Sequence, residues 1–541
     1  MGFGVTANKQ QRLFICLCLG VAGLVQALSL AWPFEGSAKG LSVGWLQLFS
    51  LAVLASQLDR APSEKAAFAQ AWLFSTAWLL GSTWWLYISL HTYGGLAAPF
   101  AVIGVFVLAG GLAILYGLAG ALYHQLTRRY VGVWLRVLAF ASLWSLAEIL
   151  RGTLGTGFPW GASGYAHVDG LLRHWSPWVG VYGVSAIAAG LAMSLAAERR
   201  YAPTVRGMGW LQALTVLVLA FTWYSSLSRD VEKLQLSETP LRVTLLQGNI
   251  AQDLKFGEGV RRALADYREA LLTSTSDLTV TPETAIPMIP EQMPDRYWAA
   301  IESHFSQGKQ AALIGVPLSK RNALGQRQYS NSVVGFMPQT TPASTANYQY
   351  DKHHLVPFGE FVPPLFQWFV QMLHIPLGDF TRGDLAQPSL AFKGERIAPN
   401  ICYEDLFGEE LARSFVSPTN APTILVNISN IAWFGDTVAI DQHLNISRMR
   451  ALELGRPMLR ATNTGATAVI NAQGEVTHRL PSSVKGALTA DVYGVHGPVT
   501  PYAQWASVFG LWPLVALAGL ILGFVGAMAY VNRHGPRRFG P

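Results

Sequence analysis

Three polar residues stand where side chains can do chemistry. Of the 3 cysteines only Cys402 lies outside apolar sequence. It ends a strand-like run, Arg396 to Ile401, and opens an acidic, helix-like one beginning Tyr403-Glu404-Asp405. Free cysteines are commonly small buried hydrophobes. At a strand-to-helix turn, however, helix N-terminal N–H groups and a nearby ammonium favour the nucleophilic thiolate. Glu283 lies in Pro-Glu-Thr-Ala-Ile-Pro, fixed between Pro282 and Pro287. Alone it reads as a solvated loop carboxylate; facing a low-dielectric pocket it would be a general base. Lys352, in Tyr-Asp-Lys-His-His, reads alone as a surface lysine. Together the three suggest a Glu, Lys, Cys triad on a membrane-held enzyme.

The elements that must position them fall into two kinds. With 541 residues, 51% hydrophobic and 13% charged, the chain is too long for one ordinary domain and too apolar to be wholly soluble. Apolar runs of about 20 residues, the length that crosses a bilayer, fall near 13–31, 40–57, 67–90, 97–123, 132–150, 178–197, 207–225 and 508–530. The first could instead be a signal peptide, but no small-residue cleavage site precedes Trp32. The expected architecture is a transmembrane domain over 1–228, a polar domain over 240–495 and a last transmembrane helix over 505–532.

The net charge of +7 is spread over short loops between apolar runs, a pattern of membrane topology and not of nucleic-acid binding. Lys9 and Arg12, Arg60 and Lys65, Arg128 and Arg129, Arg199 with Arg200 and Arg206, and Arg533 with Arg537 and Arg538 occupy alternate ends of the spans. Both termini are predicted cytoplasmic and the polar domain outside, which in a bacterium is the periplasmic side of the inner membrane. Glu148 and Arg151, three apart, read as a helical ion pair or as polar contacts to a headgroup or the outer domain. The aromatic loop Gly157-Phe158-Pro159-Trp160-Gly161 suits a membrane interface.

Within the polar domain, strands are predicted at Arg242 to Gln247, Leu278 to Thr281, Ala311 to Val316, Ser332 to Met337, Tyr348 to Asp351, Arg396 to Ile401, Thr423 to Ile428, Ala466 to Ile470 and Ala487 to Val492. Helices are predicted at Val260 to Thr273, Pro294 to Phe305 and Val438 to Leu454. This is an α/β layered pattern. No Cys pair suits a disulfide or zinc; adjacent His353 and His354 with His443 make no metal motif, and no phosphate loop occurs, so neither metal nor cofactor is expected.

The three segments in this order resemble the carbon-nitrogen hydrolase (nitrilase) superfamily, whose members are αββα sandwiches. More narrowly, Thr281 to Pro287, His354-Leu355-Val356-Pro357-Phe358-Gly359-Glu360-Phe361-Val362-Pro363 and Cys402-Tyr403-Glu404 are similar to the apolipoprotein N-acyltransferase family. So are Gln247-Gly248-Asn249, Trp433-Phe434-Gly435, Arg460 to Gly465, the Gly157 loop and the layout of about eight spans. Family members often have Trp where Thr281 stands and a polar residue where His353 does.

The resemblance implies a polytopic helical membrane domain plus a nitrilase-like αββα domain. It also implies Cys402 as nucleophile, Glu283 as general base and Lys352 as the cation beside the oxyanion, joined by the Tyr403 N–H. Glu360 and Glu404 correspond to further family carboxylates, direct actors or supports, and Phe358 and Trp433 fall in motifs assigned to binding. The implied donor is a phospholipid, preferentially phosphatidylethanolamine, and the implied acceptor a diacylglyceryl apolipoprotein. The apolar stretch Phe358 to Leu377 reads as a buried helix or as an interfacial lid. Rival readings are a membrane-anchored amidase or nitrilase-type hydrolase, with water as the second nucleophile, and a transporter with a regulatory outer domain.

Overall fold

The computed structural model describes residues 9–128, 131–201, 215–225, 235–252, 259–339, 347–362 and 380–534. It divides into two compact units, one of residues 1–84, 99–228 and 511–541, the other of 85–98 and 229–510. Residues 85–98, which lie inside the region assigned to the transmembrane domain and include the loop expected between two of its spans, group with the second unit.

In the first unit, helices span Lys9–Leu28, Gly44–Leu58, Glu64–Thr83, Ala98–Thr127, Val133–Thr153, Ser176–Tyr201, Thr215–Ser225 and Trp512–His534. Among the described residues, 5 helical segments are long and apolar enough to cross a membrane; Gly44–Leu58 and Thr215–Ser225 are shorter apolar helices. Small residues let backbones approach, as membrane helices require: a Cβ at Gly23 would strike the Phe74 carbonyl, and one at Gly120 the Ala67 carbonyl. Phe74, Trp78, Tyr116, Phe140 and Trp144 fill the space between helices.

Glu148 and Arg151, both buried, do not form the direct helical pair that their spacing allows. Glu148 Oε1 accepts the Ser163 N–H at 2.8 Å, while Arg151 donates to the Tyr116 hydroxyl at 2.9 Å and to the carbonyls of Phe158 and Trp160 at 2.5 and 2.7 Å. A buried guanidinium has five donors to satisfy, and here a tyrosine hydroxyl and two carbonyls of the aromatic loop take three hydrogen bonds from it.

The second unit holds two six-stranded sheets, ordered β12-β1-β2-β3-β4-β5 and β11-β10-β9-β8-β7-β6. The strands are β1 Leu241–Gln247, β2 Leu278–Val280, β3 Ala311–Arg321, β4 Arg327–Phe336, β5 Tyr348–Asp351, β6 Leu390–Phe392, β7 Glu395–Ile401, β8 Ile424–Ser429, β9 Met458–Thr462, β10 Ala468–Ile470, β11 Val476–Arg479 and β12 Gly486–Val492. In each sheet three consecutive neighbours, β1-β2-β3 and β7-β8-β9, run parallel. Their apolar faces meet: Val243, Val280 and Leu313 share a core with Ile397, Val426 and Leu459. Helices Gly259–Thr273 and Tyr297–Gln307 cover one sheet and Ala439–Leu454 the other, in the αββα order that the resemblance implies.

Strands β6, β9 and β11 were not foreseen. In β9 the charge of Arg460 hides the strand pattern, yet that side chain is fully buried, because it pairs with Asp405 at 3.2 Å.

Candidate active site

Each triad residue follows a strand. The segment after β2 turns sharply against β3: the Gly315 N–H donates to Thr281 Oγ1 at 2.9 Å, and a Cβ at Gly315 would strike the Pro282 carbonyl and the Thr284 nitrogen. That close approach fixes Glu283. Lys352 follows β5, its N–H bonded to the Asn331 carbonyl at 2.8 Å and its carbonyl to the Gly383 N–H at 2.9 Å. Gly383 in turn lies so close to Asp351 that a Cβ would meet its carbonyl. Cys402 follows β7 with φ of 54°, a left-handed conformation that a non-glycine residue rarely adopts.

The side chains converge. Lys352 Nζ lies 3.1 Å from Glu283 Oε1 and 2.9 Å from Glu360 Oε2, and its side chain is only 1% exposed. Asn331 Nδ2 donates to Glu283 Oε1 at 2.7 Å and to Glu360 Oε1 at 2.6 Å. The Asn430 N–H, just after β8, donates to Glu283 Oε2 at 3.0 Å and also faces the Cys402 sulfur. Glu283, Lys352 and Cys402 are thus gathered at the ends of β2, β5 and β7, with β8 supplying the shared peptide. The C-terminal ends of parallel strands are the usual place for such a site.

Electrostatics correct one expectation. Cys402 opens a single 3-10 turn, Cys402–Leu406, instead of a long helix, so little helix dipole reaches it. Burial, and then the Glu283 charge, push the thiol well up, against the pull of Lys352 and the Asn430 N–H. Both effects favour the neutral thiol over the thiolate that the turn was expected to promote. Burial opposes the Lys352 ammonium, but the Glu283 and Glu360 carboxylates outweigh it and hold the lysine charged.

Glu404 caps the turn by accepting the N–H of Ile401, the residue before the turn, whereas Asp405 pairs with Arg460. Glu404 Oε1 accepts the N–H groups of His353 and His354 at 2.7 and 3.2 Å. Its Oε2 accepts the Ile401 N–H at 2.6 Å and the Tyr350 hydroxyl at 2.9 Å. Glu404 therefore clasps the segment after Lys352 to the strand before Cys402. Asp405 binds Arg460, which donates to His443 Nδ1 at 3.1 Å; His443 Nε2 faces the Cys402 carbonyl at 3.4 Å. Burial first, and Arg460 second, keep His443 neutral.

Glu360 Oε2 accepts the Val356 N–H at 2.8 Å. Phe358, with φ of 62°, closes the same turn by donating its N–H to the Phe361 carbonyl at 2.9 Å. The Tyr403 ring is buried against His354 and Phe407. Trp433 is 39% exposed; its carbonyl accepts from Ser89 Oγ at 2.8 Å and its ring meets Tyr93 edge-on. Of the stretch Phe358 to Leu377, residues 363–377 lie outside the described residues. Asn331, Asn430 and Gly315 escaped sequence reasoning, because an amide, a peptide N–H and a strand glycine carry no signal until their neighbours are known; His443 entered it only as a rejected metal ligand.

A profile of the apolipoprotein N-acyltransferase N-terminal domain matches residues 22–194, and one of carbon-nitrogen hydrolase matches residues 242–494. The chain is 49% identical over 518 residues to apolipoprotein N-acyltransferase of Verminephrobacter eiseniae, covering 91% of this chain and 92% of that one. The chain belongs to the apolipoprotein N-acyltransferase family. This acyltransferase is also 46% identical over 483 residues to the Ralstonia nicotianae protein of the same name, covering 88% and 89% of the two chains. Among solved structures, a carbon-nitrogen hydrolase from Helicobacter pylori G27 aligns with a TM-score of 0.32 at 16% identity, over 51% of this chain and 94% of that one. By its family, its two domain matches and its apolar helices, the acyltransferase is a multi-pass membrane enzyme of lipoprotein biosynthesis with a nitrilase-superfamily domain.

Proposed function

We propose that the enzyme acylates the N-terminal amine of diacylglyceryl-cysteine in apolipoproteins by a ping-pong route, with a phospholipid as donor and Cys402 as acyl carrier. The observation that carries this reading is the convergence of Glu283, Lys352 and Cys402, with the first and last facing one Asn430 N–H. Glu283 takes the thiol proton as the sulfur attacks the donor's ester carbonyl. Lys352 holds the tetrahedral oxyanion with an N–H that its two carboxylate partners leave over, joined by the Tyr403 N–H. Collapse breaks the ester C–O bond, the Glu283 proton passes to the departing alkoxide, and a lysophospholipid leaves behind an acyl thioester.

In the second half-reaction the acceptor amine attacks the thioester and Glu283 accepts its proton. The C–S bond breaks and the proton returns to the sulfur, giving an amide and free Cys402. Aminolysis of a thioester runs downhill, so no nucleotide enters. Glu360 and Glu404 act as supports, since their oxygens are taken up by Lys352, Asn331 and main-chain donors. Phosphatidylethanolamine is the proposed donor, and Phe358 and Trp433 are assigned to lipid contact. The Lys and Arg pattern supports about eight spans, with cytoplasmic termini and the catalytic domain in the periplasm.

Intact mass of purified protein incubated with phospholipid tests the route. A hydroxylamine-labile acyl adduct, absent from Cys402→Ala and discharged as an amide by a diacylglyceryl peptide, is the expected result. Rapid fatty-acid release with no adduct would support the hydrolase instead.

A further inference from the structure

We propose that Asn331 is a positioning residue that lets Glu283 and Glu360 stay ionised side by side on Lys352, and so sets the pH range over which Cys402 is acylated. The inference rests on the acyl-enzyme reading above. Asn331 is buried on β4, and its main-chain carbonyl receives the Lys352 N–H at 2.8 Å. Its backbone therefore fixes the root of the lysine, while its side chain fixes the two counter-ions at the lysine's tip.

The donor arithmetic is tight. Glu283 Oε1 and Glu360 Oε1 each accept from Lys352 Nζ, at 3.1 and 3.0 Å, and each accepts from Asn331 Nδ2, at 2.7 and 2.6 Å. An ammonium has three hydrogens and an amide NH2 two. If the amide gives one to each carboxylate, the lysine can bind Glu283 with one hydrogen and share a second between the two Glu360 oxygens, at 3.0 and 2.9 Å, keeping its third for the oxyanion. Without the amide, two carboxylates would face each other across a single ammonium, and like charges in a buried site make one of them hold a proton. A proton on Glu283 removes the base.

The amide's orientation follows from charge, since turning it over would aim Oδ1 at two carboxylate oxygens. Oδ1 is buried with no hydrogen-bond partner among the described residues, so the side chain is held by the two carboxylates alone. The other titratable groups coupled to this cluster are Cys402 and Glu404, from the turn after β7, and His443, from the helix behind it.

The test is single-turnover acylation of Cys402 in the full-length, detergent-solubilised enzyme, read by intact mass from about pH 5 to 9. Asn331→Ala should slow acylation about tenfold near neutrality and move the half-maximal pH up by about one unit. The double variant Asn331→Ala/Glu360→Gln should bring that midpoint back toward the wild-type value, because only one carboxylate then needs the ammonium. Asn331→Asp should outrun Asn331→Ala at the acid end, where its protonated carboxyl can donate, and fall behind it at the alkaline end. A slowed rate with an unmoved midpoint, or a double variant that restores nothing, overturns the proposal. Should Asn331→Ala fail to fold, Asn331→Asp decides: no acid-end recovery relative to its own alkaline rate refutes the inference. A wild-type protein that forms no adduct would refute the acyl-enzyme reading instead.

Discussion

Glu283 Oε2 accepts the main-chain N–H of Asn430 at 3.0 Å, a bond that joins the end of β2 in one sheet to the end of β8 in the other. Because the same N–H faces the Cys402 sulfur, one peptide group registers the Glu283 carboxylate and the Cys402 thiol across the sandwich. Neither sheet could align them alone.

Removing the Glu283 charge should separate acidity from catalysis. Its field raises the Cys402 pKa, behind only burial in size, so Glu283→Gln should make the thiol ionise at lower pH. Acylation should nevertheless fall by about 10²-fold or more, because the proton acceptor is gone. Alkylation of Cys402 followed by mass across pH, beside the acylation rate, checks both halves; a midpoint that moves up would contradict the first.

Gly315→Ala should damage the site without emptying the core. The new methyl strikes the main chain at Pro282 and Thr284, so the turn carrying Glu283 must shift. Overpacking of this kind costs about 1–3 kcal/mol, and a displacement of about 1 Å at a reacting group can cost about 10²-fold in rate. Thermal unfolding and the acylation rate together distinguish this outcome from simple unfolding.

Asp405→Asn should be among the more destabilising single changes in the catalytic domain. Asp405 and Arg460 are both fully buried and 3.2 Å apart, and breaking one side of such a pair costs about 3–5 kcal/mol. Since Arg460 also holds His443 toward the Cys402 carbonyl, the acylation rate should fall with stability. Tm in detergent and single-turnover rates measure the two effects.

A pH-dependent effect on stability is expected at Glu409. Burial, then Glu410 and Glu453 against the opposing Arg450 and its own N–H, push this carboxyl up to about 7 from 4.5. A carboxyl with a raised folded pKa favours folding when protonated; that contribution is complete below about pH 4.5 and is lost as pH rises to about 7. Glu409→Gln should therefore match the wild type in acid and exceed it above neutrality, by at most about 3 kcal/mol at about 1.4 per pKa unit. Tm measured against pH reads the difference, and an advantage confined to acid would reverse the sign.

Sequence by itself determined the class of the molecule and the local elements. Apolar runs placed the helices, alternation placed most strands around Glu283, Lys352 and Cys402, and those three could be picked out by the turns they occupy. Short strands β6 and β11 and the charged β9 escaped because period reports only how an element's own residues face solvent. What the tertiary structure alone decided is partnership: Arg151 goes to loop carbonyls and not to Glu148, Arg460 finds Asp405, and Asn331 reaches two carboxylates that lie 48 and 29 positions away. The protonation state of Cys402 belongs with these, because desolvation and the charges that oppose it come from strands brought together only by folding.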